Sequence, residues 1–124
     1  MALQGKGAIV NIASVNAYRP QHQQSVYTAS KHAVLGLTRN AAVEAAAAGV
    51  RINAICPGAI ETPMLEESLR NAPISREDVI ARMSLNGRFG RPEEIAKAAL
   101  WLCFDDASFT YGHALAVDGG YLAR

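Results

Sequence analysis

Apolar positions along this chain fall into three short runs separated by longer amphipathic stretches, and their order predicts the architecture. Gly7-Ala8-Ile9-Val10-Asn11-Ile12-Ala13-Ser14 is nearly continuous and follows glycines, the pattern of a strand covered on both faces. A polar loop from Val15 to Ser25 leads to a helix from about Val26 to Ala48, with Gly49 as its C-terminal stop. Its inward stripe is expected to use Ala29, Ala33, Val34, Leu37 and Ala41. Val50 to Cys56 reads as a second strand, closed by Pro57-Gly58, which neither a strand nor a helix continues through easily. From Ala59 to Arg91 the chain is more polar and mixed. There Ser75, with Asp78 three residues on, resembles a capping box, and Thr62 before Pro63 reads as the start of a turn. Pro92, with Glu93 and Glu94 in the first turn, opens a clearer helix through about Phe104 whose apolar face uses Ile95, Ala99 and Leu102. His113 to Asp118 is the third strand, ending in Gly119-Gly120.

Strand, helix, strand, helix, strand is the order of parallel βαβ units, so the expected class is α/β, with helices laid over the sheet by right-handed crossovers. With 124 residues, half of them apolar, the chain fits one domain spanning 1–124. In such sheets chemistry lies at the carboxyl ends of the strands, where Ser14 and Pro57-Gly58 fall.

Charge and cysteine usage narrow the function classes. Twelve basic and 11 acidic residues are interspersed for a net charge of +1, with no footprint for nucleic acid or an anionic membrane surface. No apolar run approaches the roughly eighteen residues that span a bilayer, and the first residues lack a signal-peptide core, so the expectation is a cytoplasmic protein. Cys56 and Cys103 follow no redox or zinc spacing and are expected to be small buried hydrophobes. His22, His32 and His113 likewise lack ligand spacing, and no metal site is expected.

One spacing carries chemistry. Tyr27 and Lys31 stand four apart at the head of the long helix, so they share a face and the ammonium can sit beside the phenol. A fixed cation there favours the phenolate and makes an acid and base usable at neutral pH. Such a pair arises by chance in roughly one chain in five of this length, most often as a half-buried tyrosine and a solvated lysine. Its setting distinguishes it: Ser14 lies thirteen residues upstream of Tyr27, at the end of an apolar run.

Asn11-Ile12-Ala13-Ser14, Tyr27-x-x-x-Lys31, the run Arg51 to Thr62, Gly90-Arg91-Pro92-Glu93-Glu94-Ile95-Ala96 and Val117-Asp118-Gly119-Gly120 together resemble the carboxyl-terminal half of a short-chain dehydrogenase/reductase. The resemblance covers essentially the whole chain, with five segments in the expected order and spacing. It implies a partial Rossmann-like, doubly wound parallel sheet that lacks the N-terminal dinucleotide-binding half. It implies, too, an NAD(P)-dependent oxidoreductase that interconverts a carbonyl and a secondary alcohol. In that reading Tyr27 is the catalytic acid/base, Ser14 holds the reacting oxygen, and Lys31 tunes Tyr27 and bonds the nicotinamide ribose. Pro57 and Gly58 bring the backbone close to the nicotinamide, while the Ile60 main chain and Thr62 hydroxyl engage its carboxamide. Asn11, Asn53 and Asp118 are assigned to structure. Asn16, Tyr18, His22 and Met64 are candidate substrate-lining residues for a small alcohol or ketone, and family members are commonly homo-oligomers.

The resemblance also says what is missing. The glycine-rich turn that cradles the dinucleotide and the residue that reads its adenine ribose would lie upstream of Met1, so NAD and NADP are not distinguished. Gly5-Lys6-Gly7 is a decoy, because it precedes a strand where that turn must follow one. The first strand becomes an apolar edge with unpaired backbone groups, and the isolated chain is expected to be poorly stable or to self-associate and to bind cofactor weakly. The alternative is a non-catalytic interaction or remnant module that pairs with itself or with a full-length relative.

Overall fold

The computed structural model describes all residues, 1–124. Three parallel strands, β1 (Gly7–Ile12), β2 (Val50–Pro57) and β3 (Ala114–Val117), form one sheet in the order β1-β2-β3. Gly7 pairs with Val50 through to Ile12 with Ile55, and Ala54 pairs with Ala114 through to Pro57 with Val117. Four helices surround the sheet: α1 (Ser25–Ala45), α2 (Pro63–Asn71), α3 (Arg76–Met83) and α4 (Pro92–Cys103).

β2 is central, and Val50 through Cys56 are all buried, the polar Arg51 and Asn53 included. Strand alternation splits it between two cores. Val50 and Ile52 pack with Ala42 of α1, and Ala54 and Cys56 pack with Leu35 of α1 and with Ala13 and Ala17. On the opposite face Ile55 packs with Leu102 of α4 and with Ala107. The two polar residues of the strand are satisfied. Arg51 donates to the carbonyls of Leu102, Cys103 and Phe104 at 2.7, 3.2 and 3.0 Å, placing a cation at the C-terminal end of α4. Asn53 accepts from the His113 N–H and donates to the Thr110 carbonyl, which fixes the entry into β3. Asn11 donates to the Thr38 hydroxyl, and Asp118 accepts from the Gly120 and Leu122 N–H groups, so all three have structural partners as expected.

Four expectations need correction. The stripe of α1 that faces the sheet uses Val34, Leu35, Thr38, Ala41 and Ala42, whereas Ala29, Ala33 and Leu37 are exposed. α1 is apolar on most of its circumference, so periodicity alone did not select the face. The buried Thr38 sits there because its hydroxyl both donates to the Val34 carbonyl at 2.7 Å and accepts from Asn11. α2 was not anticipated. Thr62 caps it by accepting from the Leu65 N–H at 3.3 Å, and Pro63 occupies the first turn; the Thr-Pro pair read as a turn is a helix start. Ser75 does cap α3, but Asp78 returns its carboxylate to the Ser75 hydroxyl and not to the backbone N–H of a full capping box. Cys56 is buried, and burial pushes its thiol up, but Cys103 at the end of α4 is exposed. No helix is long and apolar enough to cross a membrane.

The start of α4 is held by one carboxylate. Glu94 accepts from the Arg91 N–H at 2.8 Å and receives both guanidinium nitrogens of Arg88 at 2.7 and 2.8 Å. The Arg88 hydrogen bonds first, then the Arg91 N–H, hold its carboxyl down to about 2. Because the folded value lies below the unfolded one, the stabilisation is full above about pH 4.5 and is lost as pH falls toward 2. Glu94→Gln should therefore lower the melting temperature at pH 7 but not near pH 2. A gap between the two proteins that stays constant over that range would mean Glu94 does not act through its charge.

Candidate active site

β1 delivers Ala13, whose N–H makes a last rung to the Ile55 carbonyl at 2.8 Å, and the chain then leaves the sheet. Ser14, 8% exposed, caps a short 3-10 turn at Val15–Ala17, and its hydroxyl oxygen accepts from the Asn16 N–H at 3.2 Å. Its hydroxyl hydrogen is left for a group in the adjoining cavity. α1 begins after Gln24 and carries Tyr27 in its first turn, with the ring part-exposed. One turn on, the Lys31 Nζ lies 5.4 Å from the Tyr27 ring centroid and donates to the Ile12 carbonyl at 3.0 Å. That bond ties the ammonium to the end of β1, so strand and helix together fix where the charge sits.

Opposite them, the end of β2 is pinned against the end of β3. The Gly58 N–H donates to the Val117 carbonyl at 3.1 Å, and a Cβ on Gly58 would lie 2.8 Å from the Asp118 Cα and 3.0 Å from its carbonyl oxygen. Glycine at 58 is therefore required by this close approach of two backbones. Ile60 bridges to Gly90, with the Glu61 N–H on the Gly90 carbonyl at 2.8 Å. The Thr62 hydroxyl caps α2 and donates to the Ile60 carbonyl at 3.3 Å, so it already has structural work beside the cavity.

These elements border one open cavity of about 710 Å³. Ser14, Tyr27, Lys31, Pro57, Gly58, Ile60 and Thr62 all line it, as do Asn16 and Met64. Tyr18 and His22 do not. Tyr18 ends the 3-10 turn and is 46% exposed, and the loop reverses at Gln23, whose φ of 61° makes it the one non-glycine residue in the left-handed region. That reversal turns Gln21 and Gln24 to the wall and leaves His22 in solvent. The two glutamines were missed because polar loop residues carry no periodicity to tell inside from outside. Leu65 and Leu69 of α2 were missed with their helix; its apolar spacing was the available signal.

The residues fit one end of a nicotinamide dinucleotide. Lys31 spends one hydrogen on Ile12 and retains two, next to a phenol and across from the backbone at Pro57-Gly58. Gly5-Lys6-Gly7 leads into the first residue of β1, away from this cavity, and does not supply a phosphate cradle. No group of three His, Cys, Asp or Glu side chains converges as a metal site would require.

Comparison with known proteins agrees with the geometry. Residues 1–122 match the family described as Enoyl-(Acyl carrier protein) reductase. The chain is 46% identical over 123 residues to 2-(R)-hydroxypropyl-CoM dehydrogenase of Xanthobacter autotrophicus, which covers 99% of the chain and 48% of that protein. It is 43% identical to levodione reductase of Leifsonia aquatica, again over 99% of the chain and 48% of the relative. The crystal structure of levodione reductase superposes with a TM-score of 0.89 over 99% of the chain and 49% of its own. The structure of ElxO with NADP bound superposes at 0.89, with 36% identity, over 100% of the chain and 50% of ElxO. The chain thus spans about half the length of the relatives it matches. Its fold is that part of a Rossmann-like sheet, and the chain belongs to the short-chain dehydrogenase/reductase family.

Proposed function

We propose that this chain supplies the catalytic and substrate-side half of an oxidoreductase that interconverts a carbonyl and a secondary alcohol using NAD or NADP. The observation that carries this reading is the convergence of Ser14, Tyr27 and Lys31 on one cavity, with the Pro57-Gly58 backbone opposite. Lys31 and the backbone around Pro57, Gly58, Ile60 and Thr62 would hold the nicotinamide and its ribose. Bound there, the nicotinamide supplies or accepts the hydride. Tyr27 gives its phenolic proton to the carbonyl oxygen during reduction and recovers it during oxidation. Lys31 steadies the phenolate left behind, because its ammonium stays anchored beside the ring. Ser14 donates its free hydroxyl hydrogen to the same substrate oxygen, a donor held in place before charge develops.

A suitable vehicle for testing is a chimera in which residues 1–124 follow the dinucleotide-binding half of ElxO, so that NADPH is the cofactor. In it, Ser14→Ala should lower kcat about a hundredfold with little change in KM, the pattern expected when a transition-state donor is lost. An unchanged kcat would remove Ser14 from the mechanism.

A second reading is favoured by the exposed apolar surface. β1 has no partner on its outer edge, Ile9 and Ile12 are 38% and 50% exposed, and Val26, Leu37 and Val43 of α1 are 83%, 66% and 81% exposed. By itself the 124-residue chain should self-associate and bind NADPH no tighter than millimolar. Sedimentation velocity and a fluorescence titration check both. A monomer with micromolar affinity would mean the chain needs no covering partner, whereas a self-associated chain whose chimera is also inert would favour a non-catalytic interaction module.

A further inference from the structure

The cavity wall has a chemistry that the hydride-transfer reading leaves unused. Lys31 is the only charged residue in the lining, and no Arg, His, Asp or Glu joins it. One stretch is apolar, built from Met64, Leu65 and Leu69 on α2. Another stretch is amide. Asn16, 2% exposed, holds the Ser14 hydroxyl through its backbone N–H and donates its side-chain N–H to the Gln24 Oε1 at 2.5 Å. The Gln24 NH₂ and the Asn16 carbonyl oxygen remain without partners in the chain. Gln21 reaches only the Met83 thioether at 3.9 Å, which is a weak acceptor.

These spare amide groups are open to solvent, so a ligand oxygen placed against them replaces water and keeps their hydrogen bonding, whereas an apolar group there would strip it away. The one charged residue of the lining, Lys31, is tethered at Ile12 beside Tyr27, so the amide stretch of the wall offers an anionic group only neutral donors. The Ser14–Asn16–Gln24 chain also sets where the amide donors stand: beside the hydroxyl that receives the reacting oxygen. Resting on the carbonyl-reducing reading above, we propose that the site selects compact, uncharged ketones and secondary alcohols that carry a second hydroxyl or carbonyl oxygen. Gln24, with Gln21, reads that second oxygen; carboxylated analogues are rejected.

Three ring ketones of similar size test this in the NADPH-dependent chimera: cyclohexanone, 4-hydroxycyclohexanone and 4-oxocyclohexanecarboxylate. The hydroxyketone should show a kcat/KM about tenfold above cyclohexanone, the effect of one well-placed hydrogen bond, and the carboxylate should fall below both. Gln24→Met should bring the hydroxyketone-to-cyclohexanone ratio close to one through KM for the hydroxyketone. Gln21→Met provides the same comparison if the Gln24 variant fails to fold. No preference in the wild type, a ratio unchanged in both variants, or equal use of the carboxylate would overturn the proposal. So would a Gln24→Met loss that falls alike on both neutral ketones, because the amide would then only brace the Ser14 loop. These outcomes leave the carbonyl-reducing reading intact as long as removing the Tyr27 hydroxyl still stops turnover of every ketone that the wild type reduces.

Discussion

Replacing Tyr27 with Phe in the ElxO chimera should cut turnover by about three to four orders of magnitude while leaving NADPH affinity within about threefold. The substitution removes one hydroxyl and keeps the ring on α1, so packing changes little at a side chain that is already 41% exposed. What it removes is the proton donor at the reacting oxygen, and a positioned general acid contributes roughly 10² to 10⁴ in rate. The effect should reach the upper end because, within residues 1–124, no titratable side chain except Lys31 lines the cavity beside it. Steady-state rates with cyclohexanone and a fluorescence titration of NADPH separate the two quantities. A rate within tenfold of the wild type would take Tyr27 out of the acid/base role.

The second large effect is expected at Lys31. Lys31→Met should lower kcat/KM about a thousandfold and, unlike the Tyr27 change, should also weaken NADPH binding about tenfold. Two losses combine. The ammonium that lies 5.4 Å from the ring centroid no longer stabilises a phenolate, an attraction that solvent only partly screens. The two hydrogens not used on Ile12 are also no longer offered to the ribose. Lys31→Arg keeps the charge but changes its length and shape, and should recover cofactor affinity better than rate. If Lys31→Met lowers the rate yet leaves NADPH binding unchanged, the ribose contact is wrong while the electrostatic role stands.

How much of this was legible in the chain differs by element. The three strands were readable because β2 is buried on both faces and flanked by Gly49 and Pro57-Gly58, and hydrophobic continuity with those breaks leaves few alternatives. α4 was readable because Pro92, Glu93 and Glu94 mark a helix start that the structure uses, down to the Glu94 bond to the Arg91 N–H. α1 was found, but not its orientation. Alanine is compatible with either face, and the deciding residue, Thr38, is a polar one whose burial depends on Asn11 of another element. α2 was lost to a local ambiguity, since Thr-Pro starts turns and helices alike.

The site divides in the same way. Ser14, Tyr27 and Lys31 were legible as a spacing, and the structure brings them to one cavity by ending β1 beside the start of α1. The cavity's other lining depends on a single left-handed residue, Gln23, which no pattern in the loop announces. Tyr18 and His22 share that loop, but its backbone turns Gln21 and Gln24 to the wall instead. Side chains on regular elements inherit their direction from the element, whereas loop side chains inherit it from individual dihedral angles.

The central claim is that these residues perform carbonyl chemistry with hydride from a nicotinamide. Its most direct test is isotopic: the chimera reduces cyclohexanone with NADPH deuterated at the hydride-donating carbon, and the alcohol is analysed by mass spectrometry and NMR. The expected result is deuterium on the carbinol carbon with the wild-type residues and none above background with Tyr27→Phe. No label from a wild-type chimera that demonstrably binds NADPH, or equal label from both proteins, would contradict it.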